Sequence, residues 1–177
     1  MAGVESAAES VAPPDFFVSY TGLDEAWAVW VAWWLEIAGY KVIIQAWDFR
    51  PGHNFALMMN RGLTVADRTI LIVSPSFLEA SFTQPEWAAA FTGDPTGMER
   101  RLIPVRVASC NPDGLLKPIV YIDLVGVADE HRAVVKLLDG VREGRGRPSE
   151  QPPFPGSLFG LPSTPGRPPM SAGPSTL

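Results

Sequence analysis

Two side chains four residues apart, Phe82 and Glu86, carry the most evident chemical capacity in this sequence. At that spacing a helix projects both to one face, ring beside carboxylate. The same stretch also has a purely structural reading. Thr83-Gln84-Pro85-Glu86 has the form of a capping box, in which the threonine begins a helix and the glutamate returns a hydrogen bond to it. From spacing alone the cap is the favoured role, and the two roles are compatible. Other candidates offer less. Cys110, between Ser109 and Asn111, has no recognisable His or Asp arrangement for nucleophilic work. His53 beside Pro51 and Gly52 reads as a loop or first-turn residue, and His131 as a solvated position on the last helix. Gly93 to Gly97 lacks the strand-to-helix context of a phosphate cradle. With one cysteine and two histidines, no metal site is expected.

The elements that must position Phe82 and Glu86 alternate along the chain. Phe16 to Tyr20 is a short apolar run with the form of a first strand. Trp27, Trp30, Val31, Trp34 and Ala38 recur at three- and four-residue steps and mark a helix that Gly39 ends. That spacing assigns Trp27, Trp30 and Trp34 to core packing and leaves Trp33 off the stripe, exposed and available for contact between subunits. A second strand is expected over Lys41 to Gln45. A turn with Asp48, Arg50, Pro51 and Gly52 then leads into a helix bearing Phe55, Met58, Met59 and Leu63. Thr69 to Val73 is the plainest strand. A broken helical stretch follows Ser74-Pro75 to about Phe91, and further strands are expected over Leu102 to Val107 and Ile119 to Leu124. Glu130 to Val141 gives the last helix. Strands and helices in this alternation predict an α/β fold, a parallel five-stranded sheet of order 2-1-3-4-5 with helices on both faces.

The chain has 177 residues, 46% of them hydrophobic, enough for one domain with a substantial core. Residues 1–14 are expected to be flexible and 15–142 to form the domain. Residues 143–177 read as a disordered Pro/Gly-rich linker or tail, with nine of the eighteen prolines and six of the sixteen glycines. Nineteen acidic residues against fourteen basic ones give a net charge of -5 with no basic block, which argues against nucleic-acid binding. Nothing matches a secretory signal or the ~20 apolar residues of a membrane span. A single cysteine excludes an internal disulfide, and the expected location is reducing and cytoplasmic.

Three segments together resemble TIR (Toll/interleukin-1 receptor) domains. Phe16-Phe17-Val18-Ser19-Tyr20 with Thr21 and Asp24 is similar to the family's first box. Trp47-Asp48-Phe49-Arg50-Pro51-Gly52 looks like the loop that the family uses for self-association. Ile72-Val73-Ser74-Pro75-Ser76-Phe77, Ser81-Phe82 and Glu86-Trp87 are similar to its third strand and following helix. The boxes span nearly all of residues 15–142. The resemblance implies a flavodoxin-like fold and, for bacterial members, NAD glycohydrolase activity with Glu86 as the catalytic residue. NAD is then substrate, with no cofactor. The nicotinamide of NAD is already cationic and leaves as a neutral base without protonation. The reaction therefore needs chiefly a carboxylate beside the anomeric carbon or the ribose hydroxyls. Members that cleave NAD usually carry Trp four residues before the glutamate. Phe82 keeps the stacking surface at that place and lacks the indole N–H. In this fold class the C-terminal ends of the strands line the cleft, so Ser19, Tyr20, Thr21, Trp47, Asp48 and Phe49 are expected around the substrate. Asp48 is a candidate to orient a ribose hydroxyl. The resemblance further implies that Arg50, Pro51, Gly52, His53 and Asn54 contact a neighbouring copy, that assembly activates catalysis, and that the tail tethers a sensor domain in a bacterial defence system. A non-catalytic adaptor that binds other TIR domains is the alternative.

Overall fold

The computed structural model describes residues 12–81, 93–147 and 154. By internal contacts the chain divides into a unit of residues 1–144 and a second of 145–177. The second contributes only residues 145–147 and 154 to the described set.

Within the first unit, β1 (Phe16–Ser19), β2 (Val42–Ile44), β3 (Arg68–Val73), β4 (Leu102–Arg106) and β5 (Ile122–Asp123) form one sheet. Every pairing is parallel, and the order is β2-β1-β3-β4-β5, as expected from the alternation. Central strands of such a sheet are covered on both faces, which explains their unbroken apolar runs. Phe16, Phe17 and Val18 in β1 and Ile70 to Val73 in β3 are all fully buried.

Among the described residues the α-helices are α1 (Glu25–Ile37), α2 (Gln45–Asp48), α3 (Phe55–Val65), α4 (Pro75–Ser81) and α5 (Glu130–Val141). Helix α1 stops where Gly39 takes a left-handed φ of 93° and its N–H donates to the Glu36 carbonyl. Its buried stripe runs through Ala28, Val31, Ala32 and Leu35. Small residues there let the helix lie close to the sheet, and Trp27, Trp30 and Trp34 pack half-buried along the margins of the same core. Trp33 is 56% exposed, in keeping with its place off the stripe. Helix α5 spans the residues expected of it and buries Ala133, Leu137 and Val141.

Two strands are shorter than the hydrophobic runs suggest. β2 ends at Ile44 because the Ile44 N–H donates to Asp48 Oδ2 at 2.7 Å, and Gln45 to Asp48 coil into a single helical turn. The expected edge strand over 119–124 pairs only at Ile122 and Asp123. Ile119 instead closes a 3-10 turn by donating to the Leu116 carbonyl, and Pro118 has no N–H to give a ladder. Val120 is 90% exposed.

Candidate functional site

Because all five strands run the same way, their C-terminal ends share one edge of the sheet. Ser19 closes β1 there, half-buried, and Tyr20 follows it, packed against the main core. The Tyr20 hydroxyl is buried and makes no hydrogen bond of ordinary geometry among the described residues. Burial pushes its pKa up, the charge of Glu25 adds to the effect, and the nearby Ala46 backbone opposes it. The phenol therefore stays protonated at neutral pH, and among the described residues it finds no acceptor for its proton. Its proximity to Ala46 sets it against the one-turn helix that also carries Trp47 and Asp48.

Trp47 is half-buried against the same core as Tyr20. Asp48 is exposed, but its Oδ2 is taken by the Ile44 N–H, so one of its oxygens holds the turn together. Phe49 meets Phe55 edge-on, with centroids 5.8 Å apart. Beyond it, Arg50, Pro51, Gly52, His53 and Asn54 are all exposed. His53 Nδ1 accepts the Arg50 N–H at 3.2 Å, and the His53 N–H donates back to the Arg50 carbonyl at 3.0 Å. His53 thus closes a tight turn, which agrees with its reading as a loop residue. Asn54 caps α3 by accepting the Leu57 N–H at 3.2 Å. Phe82 and Glu86 lie outside the described residues.

Thr21 turns toward a residue to which the sequence reading assigned no role. Its hydroxyl donates to Asp24 Oδ2 at 2.7 Å, and the Ser74 hydroxyl donates to the same oxygen at 2.6 Å. Asp24 and Ser74 are both buried. A hydroxyl directly after a strand and before Pro75 carries an N-cap signature, and Ser74 does accept the Phe77 N–H at 3.1 Å. Its second bond, to a residue fifty positions earlier, left no local trace in the sequence.

A second polar group sits at the ends of β4 and β5. Arg106 grips Asp123 with two bonds, Nε to Oδ1 at 3.1 Å and Nη2 to Oδ2 at 2.7 Å, and lies over the Tyr121 ring. The guanidinium holds the Asp123 carboxyl below the usual carboxylate range. Arg106 Nη1 also donates to the Cys110 carbonyl at 3.0 Å. Burial pushes the Cys110 thiol up; Arg106 opposes, while Asp123 and Asp24 add to the rise. The thiol is protonated at neutral pH, which fits its reading as incidental.

Among the described residues, no group of three His, Cys, Asp or Glu side chains could hold a metal ion, and no helix is long and apolar enough to cross a membrane. A cavity of about 600 Å³ opens between β2 and α3, and another of about 410 Å³ lies beside the start of β4. Of the residues expected around the substrate, Asp48 lines the first of these, and Ser19, Tyr20, Thr21, Trp47 and Phe49 line neither.

A family model described as the TIR domain matches residues 16–138. No curated protein matches the chain. Among solved structures, the TIR domain of the Toll-related receptor TRR-2 from Hydra magnipapillata is 22% identical with a TM-score of 0.58; the match covers 72% of this chain and 98% of that one. A TIR-STING receptor from C. gigas is 18% identical with a TM-score of 0.58, over 75% of this chain and 41% of the receptor. A prokaryotic SEFIR domain is 19% identical with a TM-score of 0.54, over 80% of this chain and 98% of that one. At these identities the likeness to solved structures establishes the fold, and the chain spans less than half the length of the TIR-STING receptor.

Proposed function

This chain belongs to the TIR-domain family, and on that premise we propose that it cleaves NAD between nicotinamide and ribose, with Glu86 as the catalytic carboxylate. Glu86 stabilises positive charge as the C–N bond breaks and nicotinamide departs with the bonding pair. Water adds to the anomeric carbon and loses a proton, giving ADP-ribose; attack by an adenine nitrogen of the same molecule would give a cyclic isomer instead. Phe82 stacks on a planar ring of the substrate. The buried phenol of Tyr20, whose proton finds no acceptor among the described residues, is available as a donor to a ribose hydroxyl or phosphate. Ser19, Thr21, Trp47, Asp48 and Phe49 complete the surroundings.

The observation that carries the reading is Glu86 itself, four residues beyond an aromatic ring in the family's catalytic slot, on the segment that follows α4. Contact between copies through the exposed Arg50 to Asn54 loop activates the site in this reading, in a cytoplasmic bacterial defence system with a sensor domain on a longer chain. Purified protein incubated with NAD, with and without a crowding agent, should release nicotinamide. Glu86→Gln keeps a side chain that serves in a capping box but removes the charge, so release should stop while the melting temperature moves little. Retained activity in that variant overturns the assignment.

The adaptor reading is favoured by one observation. Phe55 and Leu57, which follow the same loop, are 55% and 68% exposed and offer an apolar surface to another TIR domain. Absence of nicotinamide under both conditions would select it.

A further inference from the structure

Asp24 stands immediately before α1, where an aspartate ordinarily accepts a backbone N–H of the first turn. It makes no such cap bond. Its carboxylate, buried with the residue only 8% exposed, points across the chain. It has no ion-pair partner among the described residues, and the two hydroxyls that satisfy it converge on Oδ2 from different elements. Thr21 belongs to the loop leaving β1, directly after Ser19 and Tyr20. Ser74 joins β3 to α4, and the same hydroxyl that donates to Asp24 accepts the Phe77 N–H of the first turn of α4. Asp24, Ser74 and Phe77 thus form a chain of two hydrogen bonds, 2.6 Å and 3.1 Å, from the exit of β1 to the start of α4. A buried carboxylate that forgoes a local cap for a link of this kind sacrifices helix stability to gain a fixed relation between two loops.

We infer that Asp24 is a positioning residue that fixes the start of α4, and with it the origin of the segment carrying Phe82 and Glu86, relative to Ser19 and Tyr20. Its catalytic consequence rests on the NAD-cleaving reading; the linkage itself does not. Small displacements of a reacting group cost rate far more than they cost binding, because alignment matters most in the transition state.

The test uses the full chain with Asp24→Ala, Asp24→Asn, Ser74→Ala and, as a control remote from the site, the core variant Val141→Ala. Asp24→Ala should lower kcat for nicotinamide release by about 10- to 100-fold with KM within about threefold of wild type. Asparagine retains an acceptor oxygen for both hydroxyls, so Asp24→Asn should restore kcat to within about threefold. Val141→Ala destabilises without touching the link and should leave kcat unchanged. Independently of activity, hydrogen exchange at the Phe77 and Leu78 amides should quicken in Asp24→Ala and Ser74→Ala relative to amides of α5. Unchanged exchange at α4 in Asp24→Ala, or an equal fall in kcat in Val141→Ala, overturns the inference. Absence of nicotinamide release by the wild-type chain defeats the NAD-cleaving reading alone, and the exchange measurement then decides the linkage.

Discussion

Helix α3 lies on the sheet through Gly62, which is buried against the ring of Phe17. A Cβ added at Gly62 would stand 2.5 Å from both Cδ2 and Cε2 of that ring, where ordinary carbon contact begins near 3.5 Å. Phe17 is fully buried in β1, one of the central strands, so the ring has no room to swing away. The helix must then retreat by about 1 Å, the difference between the two distances. Overpacking of this kind costs about 1–3 kcal/mol, and contact with two atoms of an immobile ring lies toward the upper end. The helix gains about 1 kcal/mol from replacing glycine by alanine. Gly62→Ala should therefore destabilise the domain by about 1–2 kcal/mol, a fall of roughly 4–8 °C in melting temperature for a unit of this size. Gly140 in α5 provides the control. There the added carbon would meet both Cδ1 and Cγ1 of Ile122, which is half-buried on the edge strand and must change χ1 to make room. A half-buried edge side chain can yield where the fully buried Phe17 ring cannot, so Gly140→Ala should cost less than Gly62→Ala, part of the rotamer shift being offset by the gain of about 1 kcal/mol in helix propensity. Thermal melts followed by circular dichroism decide the matter. A Gly62→Ala variant that melts at or above wild type, with Gly140→Ala below it, would show that the helix and ring do not meet as described.

Tyr20→Phe removes a buried hydroxyl that makes no hydrogen bond of ordinary geometry among the described residues, so stability should rise by about 1 kcal/mol in a urea titration; if the phenol serves as a donor to NAD, KM should rise in the same variant. The Arg106–Asp123 pair should make stability depend on acid. The folded-state pKa of Asp123 is depressed by its hydrogen bonds to Arg106, so its contribution is fully present above the unfolded value near 4 and fades as pH falls through the lower folded value. The stability difference between wild type and Asp123→Asn should accordingly be constant above about pH 5 and shrink below about pH 4. A difference that persists undiminished at about pH 2 would refute the pairing.

What the sequence determined by itself are the features with a short-range cause. Apolar runs bounded by turn residues located β1, β3 and β4, and the alternation of strand and helix sufficed for the order β2-β1-β3-β4-β5. Gly39 marked the end of α1 because the need for a left-handed residue is local, and the 3.6-residue period delimited α5. Phe82 and Glu86 stand four residues apart as a short-range pattern of the sequence itself. Tertiary structure decided the rest. Residues Asp24 and Ser74 are fifty positions apart, and neither shows in its own neighbourhood that it will bond the other. Nor does the tryptophan periodicity tell that Ala28 and Ala32, and not the rings, form the centre of the buried face; that depends on how closely the sheet lets α1 approach. The lengths of β2 and the edge strand were set by competition, when a side chain or a turn captured a backbone N–H before the ladder did. Hydrogen bonds between distant segments exist only once the chain has closed, so no window of sequence contains them.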